Sequence, residues 1–303
     1  MCDTCAEHTH EHDHEHSQYA VLPHNASGED FRVVVTGKGG VGKTTLTALL
    51  ARRLARQSYR VLALDADPQM NLPYALGMRS EDARRLVPLS ENLDYVEEKT
   101  GARPGEGWGL FFRLNPDVDD VVDRFGVRVP DGVRLLVMGN TVQPAAGCLC
   151  PENALLAAVT NSLSLRRNEA ILMDTQAGFE HFGRALAKGF RHAVVVTDPT
   201  FNGLQVALHA ARLASDLEIP AIHLVVNRAR DGRDFERTLG RLDDEGGFRF
   251  SSTHWLPSDN LLPEVEPSVG ALLERPTTLF DTKLDELLNT LVSQHEAILR
   301  CAS

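Results

Sequence analysis

The run Gly37-Lys38-Gly39-Gly40-Val41-Gly42-Lys43-Thr44 constrains this chain more than any other feature. It follows the apolar, β-branched stretch Val33–Thr36 and precedes a helical pattern from Leu46 to Leu54. That is the strand–loop–helix setting in which G-x-x-x-x-G-K-[ST] cradles phosphate. Small residues let successive backbone N–H groups of Gly39, Gly40, Val41 and Gly42 turn inward, and the helix N-terminus adds partial positive charge. Lys43 is expected to reach the β- and γ-phosphates, Thr44 to hold Mg²⁺, and Thr45 to bond the α-phosphate. Lys38 reads either as a solvated loop lysine or as a second phosphate ligand.

Such a loop opens an α/β fold, and the rest of the text agrees. Short apolar runs are expected as strands at Val61–Asp65, Ala170–Asp174, Ala193–Thr197, His223–Asn227 and around His254–Leu256. Helical patterns over 44–57, 152–167, 180–189, 203–217, 233–244 and 277–299 separate or follow them. The pattern predicts a mostly parallel, doubly wound sheet covered on both faces, with ligands at the carboxyl ends of its strands. Residues 78–135 are less regular and read as an insertion, with a small helix at 117–124, within one domain over 31–303.

Two strand ends carry carboxylates. Asp65-Ala66-Asp67-Pro68 follows one strand, and Ile171-Leu172-Met173-Asp174 is a Walker-B-like run whose acid lies near Mg²⁺. Gly178 permits close approach of a backbone N–H to phosphate. Asn227 and Arg228 end a further strand, and an Asn amide offers a donor and an acceptor side by side.

The charge of −11 is uneven: seven of these surplus acids fall in residues 1–30, which contain no Lys or Arg. That segment holds His8, His10, His12, His14 and His16 with interleaved acids, and Cys2 and Cys5. It reads as a low-complexity tail, 1–30, expected to be disordered without a ligand. As a function it reads either as a low-specificity trap for Ni²⁺, Cu²⁺ or Zn²⁺ or as an acidic tail without one. No clustered Lys/Arg face suggests nucleic acid or anionic membrane as a partner. No apolar run is long enough to span a bilayer, and the acidic N-terminus is unlike a secretory leader, so a cytoplasmic location is expected.

Cys148 and Cys150 stand in Gly147-Cys148-Leu149-Cys150-Pro151-Glu152-Asn153. Two thiolates this close can share one soft metal, and a two-fold dimer would supply four. Two buried structural cysteines at a helix start fit the spacing equally well.

The eight-residue loop resembles the deviant P-loop of the ATPase class that includes MinD, ParA, ArsA and the nitrogenase iron protein. That resemblance implies ATP as substrate, a homodimer with Lys38 reaching the partner's nucleotide, and Asp67 positioning water. It also implies Asn227, of an N-[KR] pair with Arg228, on adenine, with the Pro257 loop closing over the base. The motifs G-C-x-C-P-E-N-A and Glu180-His181-Phe182-Gly183-Arg184, with Glu97–Gly101, Leu114–Pro116 and Val137–Gly139, narrow it further. Together they resemble the CooC family, ATPases that assist nickel insertion into carbon monoxide dehydrogenase. The resemblance implies Ni²⁺ or Zn²⁺ on the paired cysteines of two chains and carbon monoxide dehydrogenase as client. Thr175-Gln176 departs from the Met-Glu expected there. An iron–sulfur scaffold ATPase of the same class and a nickel storage protein remain alternatives. A partition or membrane-positioning ATPase is disfavoured by a C-terminal helix with no basic face.

Overall fold

The central strands expected from apolar runs do form, because each is largely buried and paired on both sides; the strand around His254–Leu256 forms at the sheet edge, paired on one side and only partly buried. A computed structural model describes residues 31–103, 113, 116–139, 151–162, 169–177, 186–187, 189–244 and 247–302. Eight strands form one sheet: β1 (Phe31–Gly37), β2 (Arg60–Ala66), β3 (Val127–Arg128), β4 (Arg134–Val137), β5 (Glu169–Thr175), β6 (His192–Thr197), β7 (Ala221–Ala229) and β8 (Ser252–Pro257). Their order is β3-β4-β2-β5-β1-β6-β7-β8. Every pair is parallel except β3 with β4.

Side chains alternate across such a sheet, so each strand feeds two cores. On β1, Val34 joins the layer containing Leu64, Met173 and Val195, while Val33 and Val35 join the opposite layer with Leu172 and Val194. The second layer is closed by α1 (Lys43–Arg56) and by the C-terminal helix Leu279–Ala302, whose Leu284, Leu287, Leu288 and Leu291 recur at helical spacing. The first is closed by helices Pro151–Ser162 and Phe201–Asp216. Among the described residues no helix is long and apolar enough to cross a membrane.

The 78–135 stretch differs from the sequence expectation. The expected helix is shorter, Val121–Phe125, unexpected helices form at Ser80–Ala83 and Leu93–Thr100, and the stretch supplies β3 and the start of β4 to the edge of the main sheet. Two- and four-residue strands give no readable period. β4 is a strand because Leu135 and Leu136 find Ala63 and Leu64 of β2 alongside, which is a tertiary cause.

Candidate functional site

β1 lies between β5 and β6, so the loop leaving its carboxyl end is flanked by the ends of both neighbours. Two glycines make that loop possible. Gly37 has φ +140°, and a Cβ there would sit 2.1 Å from the Val196 carbonyl oxygen. Gly42, at φ +96°, occupies the left-handed region just before α1, where a Cβ would meet the Asn227 amide at 2.6 Å. Gly39 and Gly40 are exposed, Val41 is buried, and Lys38 is half-buried.

The phosphate-facing groups come from three strand ends. Lys43 is only 7% exposed, and its Nζ donates to the Lys38 carbonyl at 3.1 Å. Burial pulls its ammonium below the ordinary lysine range, against the opposing pull of Asp174 and Asp67. The Thr44 hydroxyl donates to Asp174 Oδ2 at 2.6 Å. Asp174 Oδ1 is buried with no hydrogen-bond partner among the described residues, and burial pushes this carboxyl up to about 7, with the Thr44 bond and Lys43 opposing. A buried, half-satisfied carboxylate beside a hydroxyl is an oxygen donor set of the kind Mg²⁺ takes, so these residues fit that ion.

Asp67 is half-buried, and its Oδ1 accepts the Gln69 N–H at 2.9 Å, closing a turn. The neighbouring Asp65, not singled out from sequence, is fully buried and aligned in register with Asp174. It accepts N–H groups from Asp67 and Leu72, each at 3.1 Å, and so fixes the shape of the turn that carries Asp67. Burial, then the nearby Asp174, raise it well above the usual carboxylate range. The sequence signal was available: in D-x-D after a strand, the first acid still belongs to the strand and only the second reaches the loop.

Next to this centre lies a cleft of about 340 Å³. Gly42, Thr45, Asn227, Arg228 and Pro257 all line it, with Asp259 and Phe280 on the far wall. Its size suits a base and sugar. Asn227 Nδ2 donates to the Val41 carbonyl at 2.7 Å, and its Oδ1 accepts the Arg228 N–H at 3.0 Å. One amide hydrogen and one lone pair therefore remain for a ligand. Arg228, at φ +60°, sits in the irregularity between Asn227 and Ala229 that turns Asn227 toward the loop.

Gly178, Cys148, Cys150, Cys2, Cys5, His8, His10, His12, His14 and His16 lie outside the described residues. Thus the structure gathers Lys38, Lys43, Thr44, Thr45, Asp67, Asp174, Asn227, Arg228 and Pro257 along one edge, and Asp65 joins them.

Comparison with known proteins gives the family and the fold. The CobQ/CobB/MinD/ParA nucleotide binding domain family matches residues 32–264. The carbon monoxide dehydrogenase accessory protein CooC of Rhodospirillum rubrum is 40% identical over 212 residues, covering 70% of this chain and 80% of the relative. An uncharacterized ATP-binding protein of Methanocaldococcus jannaschii is 38% identical over 200 residues, 66% of this chain and 76% of the relative. Among solved structures, the cell division ATPase MinD of Pyrococcus furiosus superposes with a TM-score of 0.59 at 22% identity, covering 88% and 99% of the two chains. A ParA-family ATPase of Chlorobium tepidum gives 0.55 at 18%, with 86% and 98% covered. These two likenesses establish the fold.

Proposed function

The chain belongs to the CobQ/CobB/MinD/ParA nucleotide-binding family as a CooC-like ATPase, and from that premise we propose that it is an ATP-driven nickel carrier for carbon monoxide dehydrogenase. One observation carries the proposal: the relation to a carbon monoxide dehydrogenase accessory protein over 70% of the chain. The chain's own Gly147-Cys148-Leu149-Cys150-Pro151-Glu152 motif supplies a place for the metal.

In this reading ATP lies along the carboxyl edge of the sheet, in one domain over 31–303. The base enters the cleft beside Asn227, Arg228 and Pro257, and the phosphates lie on Gly39–Thr45. Lys43 neutralises the β- and γ-phosphates, and the Gly178 N–H faces the γ-phosphate. Thr44 and Asp174 hold Mg²⁺, which supplies countercharge to the triphosphate. Asp67 orients the attacking water from a turn that Asp65 fixes. The developing charge meets groups already in place, so little reorganisation opposes the step.

Nickel is the cargo. Cys148 and Cys150 of two copies form a four-thiolate site on the dimer axis, a donor set that suits square-planar Ni²⁺ or tetrahedral Zn²⁺. Lys38 of each copy reaches the other's nucleotide. ATP therefore favours the closed dimer, and hydrolysis loosens both the dimer and the metal's hold. The tail's His8, His10, His12, His14 and His16, with Cys2 and Cys5, gather metal for that site.

The test is an anaerobic Ni²⁺ titration of protein lacking residues 1–30, with and without ATP, following mass in solution. One nickel per dimer, lost in Cys148→Ala/Cys150→Ala and altered by nucleotide, is the expected outcome. Binding confined to the full-length tail would sink the proposal and leave a nickel store fused to an ATPase.

A further inference from the structure

The far wall of the base cleft is held from behind by a residue that does not line it, Arg275. Asp259 lines the cleft, yet its carboxylate is turned to Arg275, which grips it as a fork: Nη1 to Oδ1 at 2.7 Å and Nη2 to Oδ2 at 2.6 Å. The same guanidinium reaches Asp281 Oδ2, from Nη2 at 3.1 Å and from Nε at 3.3 Å. Its centre stands 5.9 Å from the ring of Phe280, another wall of the cleft. Asp281 in turn accepts Arg53 Nη2 at 2.5 Å, and Arg53 also pairs with Asp285. Arg53 belongs to α1, the helix whose first residues are Lys43 and Thr44.

One chain of ion pairs therefore ties three walls together: the phosphate-binding helix, the loop after β8 and the start of the C-terminal helix. Its members are largely removed from water, with Arg275 at 12%, Asp259 at 7% and Asp281 at 6% side-chain exposure. Forked, shielded pairs of this kind fix geometry, and deleting one partner leaves the other charge uncompensated. Arg275, Asp281 and Arg53 do not line the cleft.

We propose that Arg275 is a positioning residue for nucleotide selection: by clasping Asp259 and Asp281 it sets the width of the base cleft and thereby the preference for ATP. Asp259 is thereby neutralised as a wall and does not read the base itself. Without Arg275, Asp259 on the cleft wall would be left as an uncompensated carboxylate close to Asp281 behind it, and the loop carrying Pro257 and Asp259 would move outward. The inference rests on the reading of this cleft as the base subsite.

The experiment compares Arg275→Ala, Arg275→Lys and Asp259→Asn with wild type and with Asn227→Ala. Steady-state hydrolysis of ATP and GTP is measured beside competitive inhibition by inorganic tripolyphosphate. Arg275→Ala should raise KM for ATP about tenfold with kcat within about twofold, the signature of lost ground-state positioning. Its preference for ATP over GTP should fall, and the tripolyphosphate inhibition constant should stay put. Asp259→Asn should follow it, and Arg275→Lys, which keeps the charge without the fork, should fall between. If Asn227→Ala raises KM while Arg275→Ala, Arg275→Lys and Asp259→Asn do not, the clasp is overturned and the base subsite stands. If none of the four moves KM, the subsite itself is misplaced and the clasp falls with it. A loss equal for ATP, GTP and tripolyphosphate would reduce Arg275 to a structural ion pair and overturn the inference.

Discussion

The two ends of the same sheet bury ionisable groups in opposite ways. At the carboxyl end, Asp174 keeps an oxygen without a partner among the described residues and Lys43 is held by a single carbonyl. At the amino end, His192, His223, Ser252 and His254 are strung into a line. His192 Nδ1 meets His223 Nε2 at 3.1 Å, His223 Nδ1 meets Ser252 Oγ at 2.7 Å, and that hydroxyl meets His254 Nε2 at 2.9 Å. Neutral rings satisfy this line with one set of tautomers, each Nδ1–H donating onward and the serine donating to His254. The bare Nε2 of His192 is then a lone pair rather than a stranded proton. Burial holds His192 down to about 2 and His223 to about 4, with a neighbouring histidine adding to each effect. One end is left short of partners where a ligand will supply them; the other links most of its polar atoms to one another and leaves the Nε2 of His192 as a desolvated lone pair.

The comparison breaks most readily at Asp174. Asp174→Asn should lower ATP turnover by at least about a hundredfold, the loss expected when a group that holds a catalytic cation is neutralised. The same change should not weaken the ligand-free fold. A carboxyl raised to about 7 favours the folded state where it is protonated, and that contribution falls away as pH rises from the unfolded value of 3.8 through 7. Above that window the variant should melt higher than wild type in calorimetry; a lower melting point would mean that the carboxylate also supports the apo fold.

At the opposite end the sign reverses. Histidines depressed in the folded state support stability fully above the unfolded value of 6.5 and lose that support as pH falls toward about 4 for His223 and about 2 for His192. Two such groups should cost about 4 kcal/mol between pH 8 and pH 5 in denaturant titrations, and His223→Gln should roughly halve that slope. A flat profile would show that the line is wet rather than buried.

A third measurement joins the two ends. Mg²⁺ and ATP binding near pH 7 should displace about half a proton from Asp174, read from calorimetry in buffers of different ionisation enthalpy. Asp174→Asn should abolish the release, whereas His223→Gln should leave it intact. The smallest expected effect is Ser252→Ala, about 1 kcal/mol of stability with kcat and KM unchanged.

What was legible in the sequence follows the same division. The β1–loop–α1 unit could be read because its chemistry is local: Gly37 to Thr44 carries donors, conformational freedom and charge within one loop. The central strands could be read because burial on both faces fills them mostly with apolar residues, the exceptions such as Asp65, Asp174, His192 and His223 being themselves buried. β3 and β4 could not, since their pairing with β2 is settled by contacts rather than by their own pattern. The cleft beside the loop was legible in pieces, as Asn227, Arg228 and Pro257, which line it, but its far wall depends on Arg275, a residue with no motif around it. His192 and His223 looked like ordinary strand positions, and their hydrogen bonds join three strands that no local window contains.

The placement of β1 has one further consequence, for the chain during its synthesis. β1, made before the other described strands, has as its neighbours β5 and β6, which begin at Glu169 and His192. Its loop is then tied down by Asn227, 186 residues beyond Val41. A nascent chain therefore exposes its phosphate-binding segment before β5, β6 and Asn227 exist to shape it, and the nucleotide site is completed only after Asn227 has been made.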